Sequence, residues 1–154
     1  MLWFYLKSRK IQGLKSNGLV IGSHDGRNGH WIYPVKDNLT NVVLVDGSDK
    51  QFVNLVENYK NYYNVETLNT VVTTDGSNVK WYQGGEGYTD TIKKELIEEH
   101  LKSGYEKYHY LWIDGIIESD RSSISLNQLM SKKEYDWLHL DVEGIDGDLI
   151  LCLE

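Results

Sequence analysis

The stretch GLVIGSHDGRNGH, residues 18–30, decides the fold class of this chain. The chain passes from three apolar residues, Leu19 to Ile21, straight into a turn that holds Gly22 and Gly26 with a His-Asp pair between them. A short unbroken apolar run is typical of a strand that is buried on both faces of a parallel sheet. Glycines directly after such a strand permit either a tight turn or a ligand that comes close to the backbone, and this stretch alone leaves both interpretations open.

A second strand and a helix follow. NVVLVDG, residues 41–47, is another apolar run that ends in an acid and a glycine. In SDKQFVNLVENYKNYYN, residues 48–64, the apolar positions recur at helical spacing, and Ser48 and Gln51 form a capping box. The predicted apolar stripe consists of Phe52, Leu55, Val56, Tyr59 and Tyr63. We therefore predict a helix over residues 48–62.

The remaining apolar stretches continue the alternation of strands and helices. The predicted elements are a strand in VETLNTVVTT (65–74), a hairpin through DGS into NVKWY (78–82), a helix in DTIKKELIEEHLKSG (90–104), a strand end and short helix in SISLNQLMSKK (123–133), a strand in YDWLHLDVEG (135–144) and a helical start in IDGDLILCLE (145–154). This order predicts an α/β protein with a mostly parallel sheet flanked by helices. We expect a single domain over residues 1–154, with an N-terminal extension over residues 1–17 and a core from residue 18.

Composition limits the classes of function. The chain has 154 residues, a formal net charge of −7 and a single cysteine, Cys152. The negative charge disfavours binding to nucleic-acid phosphates. No apolar run approaches the ~20 residues of a membrane span. Because a single cysteine cannot form an intrachain disulfide, a reducing compartment is the default expectation. We therefore expect a cytoplasmic protein with no membrane span and no nucleic-acid partner.

The ends of the predicted strands contain the candidate ligand site, because ligands of open parallel sheets bind beyond the carboxyl ends of the strands. The residues at the first two strand ends are Gly22, Ser23, His24, Asp25, Gly26, Asp46, Gly47 and Ser48. An acid at the position of Asp46 accepts hydrogen bonds from ribose hydroxyls in nucleoside-binding α/β proteins. We therefore predict an adenosyl ligand.

The glycine spacing argues against a dinucleotide. The pyrophosphate fingerprint is Gly-x-Gly-x-x-Gly, whereas this chain has Gly22, Gly26 and Gly29. The neighbouring His24, Asp25 and His30 fit no zinc pattern. We interpret these three side chains as solvent-exposed turn residues.

A group of ionisable residues lies in HLDVEG, residues 139–144. Because strand side chains alternate, His139, Asp141 and Glu143 are predicted to share one face. Such a face could bind a divalent cation, act as a general base or hold an ammonium group, and the plain alternative is a solvated strand end. Further along the chain, Trp81, Tyr82 and Tyr88 flank the GGEG loop (84–87) and could line an acceptor pocket.

Taken in order, five strings resemble the blocks of FkbM-type S-adenosylmethionine-dependent methyltransferases. They are VIGSHDG, VVLVDGSDKQFVNLVENYKNYYNV, LNTVVTTDGSNVKWY, SISLNQL and YDWLHLDVEGIDGDLI, which together cover roughly Leu19 to Ile150. The resemblance implies a Rossmann-like class I methyltransferase fold. It also implies S-adenosyl-L-methionine as the cofactor and O-methylation, often of a sugar hydroxyl in a glycan or glycoconjugate.

The resemblance also implies roles for individual residues. The turn from Gly22 to Gly26 would face the methionine part of the cofactor, and Asp46 would hold the ribose hydroxyls. Asn69 and Thr70 would lie near the adenine. Asp141 and Glu143 would face the methyl group and the acceptor, and His139 is a third candidate for the base.

The chain also departs from the family pattern. Val20 stands where the family has an acid, Asn127 where it has an aspartate, and His139 where it has a lysine. The family sheet continues with further strands beyond the helix in which this sequence stops, so the chain is expected to be C-terminally short. A second copy of the chain or a further segment would then cover the sheet edge. The alternative function is a degenerate binding or assembly module that keeps the fold without turnover.

Overall fold

The structure is a computed structural model, and it describes residues 2–27, 32, 41–83, 90–102 and 116–153. Backbone contacts divide the chain into two compact units. The first unit comprises Met1–Asn69 and Met130–Asp141, and the second comprises Thr70–Leu129 and Val142–Glu154. The expectation of a single domain stays a prediction.

The described residues form eight short strands interspersed with five helices. In chain order they are α1 (Leu2–Ile11), β1 (Asn17–Ile21), β2 (Asn41–Asp46), α2 (Asp49–Tyr59), β3 (Val65–Asn69), β4 (Val71–Thr73), β5 (Val79–Gln83), α3 (Lys94–Lys102), β6 (Ile117–Arg121), β7 (Ser123–Ser125), α4 (Leu126–Met130), β8 (Trp137–Leu140) and α5 (Asp146–Leu151). The prediction of a mixed α/β protein is confirmed.

The first unit is built on a four-stranded sheet with the order β3-β2-β1-β8. All its strand pairs are parallel, and β1 lies between β2 and β8, with Leu19 paired to Val43 on one side and to Leu138 on the other. This confirms the predicted parallel sheet, whose architecture is compatible with a Rossmann-like fold. β8 is an outer strand of the described sheet, and its covering by a second copy or a further segment stays a prediction.

Both faces of the two inner strands are buried, as the unbroken apolar runs predict. One face of the sheet packs with both helices of the first unit in a single cluster. Its fully buried members are Leu6, Val20, Ile32, Val42, Leu44, Leu55 and Tyr59. The opposite face presents Leu19, Ile21, Val43 and Val45, and each of these side chains is also buried.

The predicted N-terminal extension forms part of the first unit. Leu6 of α1 is 1% exposed and belongs to the core cluster. The helix stops at Gly13, whose backbone is left-handed with φ +69°, and the N–H groups of Gly13 and Leu14 donate to the carbonyls of Lys10 and Arg9. This is the Schellman arrangement that favours glycine after a helix. β1 begins at Asn17, so the extension contributes both packing and the first residue of the sheet.

The predicted helix after β2 is confirmed, although it is shorter than its apolar stripe. Leu55 and Tyr59 are buried, but Val56 is 41% exposed and Tyr63, beyond the end of α2, is fully exposed. The predicted capping box is wrong, because Ser48 is the N-cap residue yet its side chain makes no capping hydrogen bond. The Asp46 carboxylate accepts from the Ser48 backbone N–H instead.

Strand pairing in the second unit differs from the prediction. The strand predicted over 65–74 is broken at Thr70, and β4 pairs in parallel with β7. The predicted hairpin is wrong, since β5 pairs antiparallel with β6 and not with β4. The turn before β5 does form, through the Asp75 carboxylate and the Ser77 N–H (3.0 Å), but β4 is already paired with the distant β7.

The helices of the second unit match the predicted positions. α3 begins at Lys94, inside the predicted range, and its Ile97 is 1% exposed and packs against Tyr82 and Ile116. The strand end and short helix of residues 123–133 are confirmed as β7 and α4. The helical start after residue 145 is confirmed as α5.

Candidate functional site

The carboxyl ends of the first-unit strands meet at one edge of its sheet, because all four strands are parallel. This edge carries the turn Gly22–Gly26 after β1, Asp46–Ser48 after β2, Asn69 at the end of β3 and Asp141 after β8. The structure therefore brings these predicted residues to the same edge. Thr70 and Glu143, which were predicted with them, belong to the second unit.

The turn after β1 is fixed against β2 by its own backbone. The N–H groups of Gly22 and Ser23 both donate to the Val45 carbonyl, at 2.9 and 3.0 Å, and the Ser23 hydroxyl donates to the same oxygen. The Gly26 N–H donates to the Ser23 carbonyl at 2.8 Å and closes the turn. Gly22 has φ +79° and His24 has φ +51°, so the turn passes through the left-handed region that glycine adopts without strain.

Asp46 joins this turn to the start of α2. Its carboxylate accepts from the His24 N–H at 2.6 Å and, through its other oxygen, from the Ser48 N–H at 2.8 Å. The residue is only 8% exposed. Asp46 therefore holds the turn after β1 and the N-cap residue of α2 together.

Gly26 is required by the helix that packs on the turn. A Cβ atom added at Gly26 would lie 2.5 Å from Cε2 of Tyr59 and 2.7 Å from Cδ1 of Leu55. The Tyr59 hydroxyl donates to the Gly26 carbonyl at 2.8 Å, and the Asn58 amide donates to the Asp25 carbonyl at 2.8 Å. The close approach of α2 is therefore a sufficient reason for the second glycine of the turn.

Tyr59 and Asn58 of α2 are site residues that the sequence analysis did not predict. Tyr59 was assigned to the apolar stripe, which its burial confirms, but its hydroxyl also holds the turn. The sequence does offer one signal for this role, which is that a core position is occupied by tyrosine and not by phenylalanine. A buried phenolic hydroxyl usually has a hydrogen-bond partner, so such a tyrosine indicates one. Nothing in the sequence distinguishes Asn58.

The solvent-exposed interpretation is wrong for both residues of the His-Asp pair, since the His24 side chain is only 16% exposed. Asp25 is 4% exposed, and its carboxylate accepts from the Arg27 N–H at 2.8 Å and lies 3.4 Å from Nδ1 of His24. His30 and Gly29 lie outside the described residues. Among the residues that are described, no three or more histidine, cysteine or acidic side chains form a group that could hold a metal ion.

The residues at the end of β3 take different positions. The Asn69 side chain is exposed and donates to the Asp49 carboxylate at 2.6 Å, so it is tied to the first turn of α2. Thr70, the first residue of the second unit, donates from its hydroxyl to the Val71 carbonyl at 3.3 Å.

The prediction that His139, Asp141 and Glu143 share one strand face is wrong. β8 ends at Leu140, and only His139 lies in the strand, paired with Val20 and half-buried. Asp141 is exposed, and its N–H donates to the Ile21 carbonyl at 2.9 Å. Glu143 has a left-handed backbone, φ +45°, so the alternation of side chains does not reach it.

Glu143 and the aromatic residues belong to the second unit. The Glu143 carbonyl accepts from the Thr91 hydroxyl at 3.0 Å. Trp81 is 8% exposed, and its indole nitrogen makes no hydrogen bond to any described residue. Tyr82 is half-buried against Ile97. Tyr88, Glu86 and the rest of the GGEG loop lie outside the described residues, so the acceptor pocket stays a prediction.

No helix in the described parts of the chain is long and apolar enough to cross a membrane. Comparison of the chain with protein-family models, with curated proteins and with solved structures gave no significant match. A functional assignment therefore depends on the residues of this chain and their geometry.

Proposed function

We propose that this chain is an S-adenosylmethionine-dependent O-methyltransferase of the FkbM type, built on a Rossmann-like class I sheet and acting on a sugar hydroxyl of a glycan or glycoconjugate. The observation that carries the proposal is the contact between the glycine turn and Asp46 at the carboxyl edge of the first-unit sheet. There, the acid that ends β2 contacts the glycine turn after β1 through the 2.6 Å bond from His24 to Asp46. The string resemblance assigns cofactor binding to these same two segments.

The charge and hydrogen bonding of the turn support an adenosyl cofactor over a dinucleotide. Asp25 and Asp46 place two buried acids at this edge, and buried negative charge favours a ligand that carries positive groups. The sulfonium and ammonium groups of S-adenosylmethionine are such groups. A pyrophosphate would need free N–H donors, but those of Gly22, Ser23 and His24 already donate to Val45 and Asp46.

The chain's own residues would bind the cofactor and the acceptor. S-adenosylmethionine supplies an activated methyl group when bound. Asp46 would accept the ribose hydroxyls, and the turn from Gly22 to Gly26 would lie against the methionine part. Holding an acceptor oxygen in line with the methyl carbon accounts for much of the rate in such a transfer, and a base that takes the hydroxyl proton contributes the rest.

Three residues are proposed as candidates for that base, and their environments differ. Asp141 is exposed at the same edge as the glycine turn, and its backbone is held by β1. His139 is half-buried within β8, and Glu143 follows in the second unit. Exposure and position favour Asp141 within the first unit.

Calorimetric titration tests the cofactor class. We expect S-adenosylhomocysteine to bind and NAD not to bind. Asp46→Asn keeps the shape of the side chain but loses its charge, and it should weaken S-adenosylhomocysteine binding at least about ten-fold, the factor that ~1.4 kcal/mol produces. The matched control is Asp120→Asn, which alters an exposed acid of the second unit. Repeating the titration with Mg²⁺ and with a chelator tests a divalent cation, and binding of NAD alone would overturn the proposal.

Transfer of labelled methyl groups tests the acceptor class. Glycan, RNA and protein extracts are incubated separately with labelled S-adenosylmethionine and the protein. We expect label in glycan that is lost with Asp141→Asn or with Glu143→Gln. Label in RNA or protein, with none in glycan, would refute the sugar assignment.

One observation favours the second candidate, a binding or assembly module without turnover. Both Asp46 oxygens accept backbone N–H groups in a nearly buried setting, which is also what a purely structural link between β1 and α2 would require. A purified chain that binds no S-adenosylhomocysteine, and in which Asp46→Asn lowers only the stability, would favour this candidate.

A further inference from the structure

A groove of about 350 Å³ lies at the amino ends of β1, β2 and β3, at the opposite edge of the first-unit sheet from the glycine turn. Its size falls within the range of roughly 300–1,000 Å³ that is typical of small-molecule sites. Val42, Val43 and Val65 contribute apolar surface, and polar side chains from the segment before β8 complete the wall. None of the site residues predicted from the sequence lies in this groove.

The charged side chains among the described lining residues neutralise each other. Glu66 and Lys133 both line the groove and form a close ion pair in which each side chain is about half exposed. The groove therefore offers no net charge to an incoming ion. A phosphate or a simple cation would have to break this pair in order to bind.

The remaining polar groups offer both hydrogen-bond donors and acceptors. The phenol of Tyr135 is an O–H donor at neutral pH, and burial raises its pKa further above the ordinary value. The Asn41 amide nitrogen donates to Oδ1 of Asn17 at 3.0 Å, and both residues line the groove. Asn64 adds a third amide to the lining. Mixed neutral donors and acceptors match a ligand that carries hydroxyl groups.

Tyr63 is one of the residues that line the groove, and its side chain is fully exposed. The helical pattern predicts a buried place for it in the stripe of α2, but it lies beyond the end of that helix. A fully exposed ring keeps its apolar face in water, and that face can be covered by the C–H face of a sugar.

We propose that this groove binds a neutral saccharide, with the ring of Tyr63 against the sugar face and the amides of Asn41 and Asn64 and the Tyr135 phenol on its hydroxyls. The site is separate from the proposed methyl-transfer site, because it lies at the other end of the same strands. The saccharide proposal therefore does not depend on cofactor binding or turnover. If the acceptor is a glycan, a second contact with the same polymer raises its effective concentration at the protein.

The test is titration of the isotope-labelled full chain with neutral disaccharides (maltose, cellobiose and lactose), followed by amide NMR. We expect saturable shifts that centre on residues 41–43, 63–66 and 133–135 for at least one disaccharide. Tyr63→Ala should weaken that binding about ten-fold, which corresponds to ~1.4 kcal/mol. Because Tyr63 is fully exposed, this variant is expected to keep the wild-type spectrum elsewhere. The matched control is Tyr5→Ala, which removes an exposed tyrosine of α1 outside the groove.

Each other outcome counts against the proposal. Shifts caused by inorganic phosphate or a sugar phosphate, with none from neutral disaccharides, would assign the groove to an anion. Shifts that depend on protein concentration alone would assign it to a second copy of the chain. The absence of shifts, or equal affinity in the wild type and Tyr63→Ala, would also overturn it. S-adenosylhomocysteine binding is measured in the same samples, so failure of the methyltransferase proposal would be seen separately.

Discussion

Replacing Gly26 with alanine tests whether the turn after β1 is fixed by the helix that packs on it. The new Cβ would lie 2.5 Å from the Tyr59 ring and 2.7 Å from the Leu55 side chain, closer than non-bonded carbon atoms approach. Leu55 is fully buried, and Tyr59 is 3% exposed and bonded to the Gly26 carbonyl. Neither side chain can move away without losing contacts of its own.

The expected loss of stability is the sum of three effects. A left-handed backbone, here φ +67°, costs an alanine about 1–2 kcal/mol. Lower freedom of the unfolded chain returns about 0.4–1 kcal/mol. Overpacking against the two side chains adds about 1–3 kcal/mol. Together these effects predict that Gly26→Ala lowers the free energy of unfolding by roughly 1–5 kcal/mol, with a central value of ~3 kcal/mol.

Gly13→Ala is the matched control. Gly13 has nearly the same backbone conformation, φ +69°, but an added Cβ there meets no atom within 4 Å. The control therefore carries the backbone and unfolded-state effects without the clash. It should cost roughly 0–1.6 kcal/mol, and the difference between the two variants measures the packing of α2 on the turn.

Urea unfolding followed by tryptophan fluorescence gives both values, provided that the slopes with denaturant agree among the variants. Equal losses for Gly26→Ala and Gly13→Ala would refute the packing argument. A neutral effect at both positions would refute the left-handed backbone as well.

Three further changes test other parts of the structure. Tyr59→Phe removes the hydrogen bond to the turn but keeps the ring, and should cost about 1–2 kcal/mol in urea unfolding and speed amide exchange in the turn. Gly18→Ala would place a Cβ 2.0 Å from the Trp137 ring, so this ring must move and the tryptophan emission should shift. Hydrogen bonds from the N–H and hydroxyl of Ser77 lower the pKa of Asp75 below its usual 3.8. The stabilisation by the Asp75 charge is therefore present above that usual value and is lost as the pH falls through the lowered pKa. Urea unfolding of Asp75→Asn and wild type should differ most at neutral pH and converge in acid.

For each of these three predictions, one experimental outcome would contradict it. Unchanged exchange in the turn of Tyr59→Phe would mean that the hydroxyl does not hold it. An unaltered emission spectrum in Gly18→Ala would contradict the close contact with the Trp137 ring. A stability difference at Asp75 that grows as the pH falls would reverse the sign of the argument.

The strands of the first-unit sheet and the helices that pack on it could be predicted, because the pattern of apolar residues within each short segment indicates which residues are buried. Unbroken apolar runs mark β1 and β2, which are buried on both faces. The pairing of the second-unit strands could not be predicted, because a turn signal such as Asp75–Ser77 reports the local bend and not the partner. β4 pairs with β7, which lies about fifty residues further along the chain.

The site could be predicted in position but not in detail. The glycine turn and Asp46 follow from their places at strand ends, and the structure puts them in contact. Besides the backbone bonds of the turn itself, two of the hydrogen bonds that fix them come from Ser48 and Tyr59, whose positions depend on where α2 packs. The alternation proposed for His139 and Glu143 failed because β8 ends between them at Leu140.

The place of β1 between β2 and β8 has a consequence for synthesis on the ribosome. The Asn17 N–H bonds to the Asp136 carboxylate, 119 residues later in the chain. Ribosomes add ~5–20 residues per second. After β3 has been synthesised, β1 therefore lacks its second neighbouring strand for several seconds, until β8 has been synthesised.

During that interval the nascent chain has a strand with three consecutive apolar residues, Leu19 to Ile21, and one unpaired edge, a form that invites wrong pairing. Slower translation between β3 and β8 lengthens the time for which this edge of β1 is unpaired. Chaperones that bind emerging apolar segments cover the edge during that time. We therefore expect the yield of folded protein to depend on the rate at which residues 70–136 are translated.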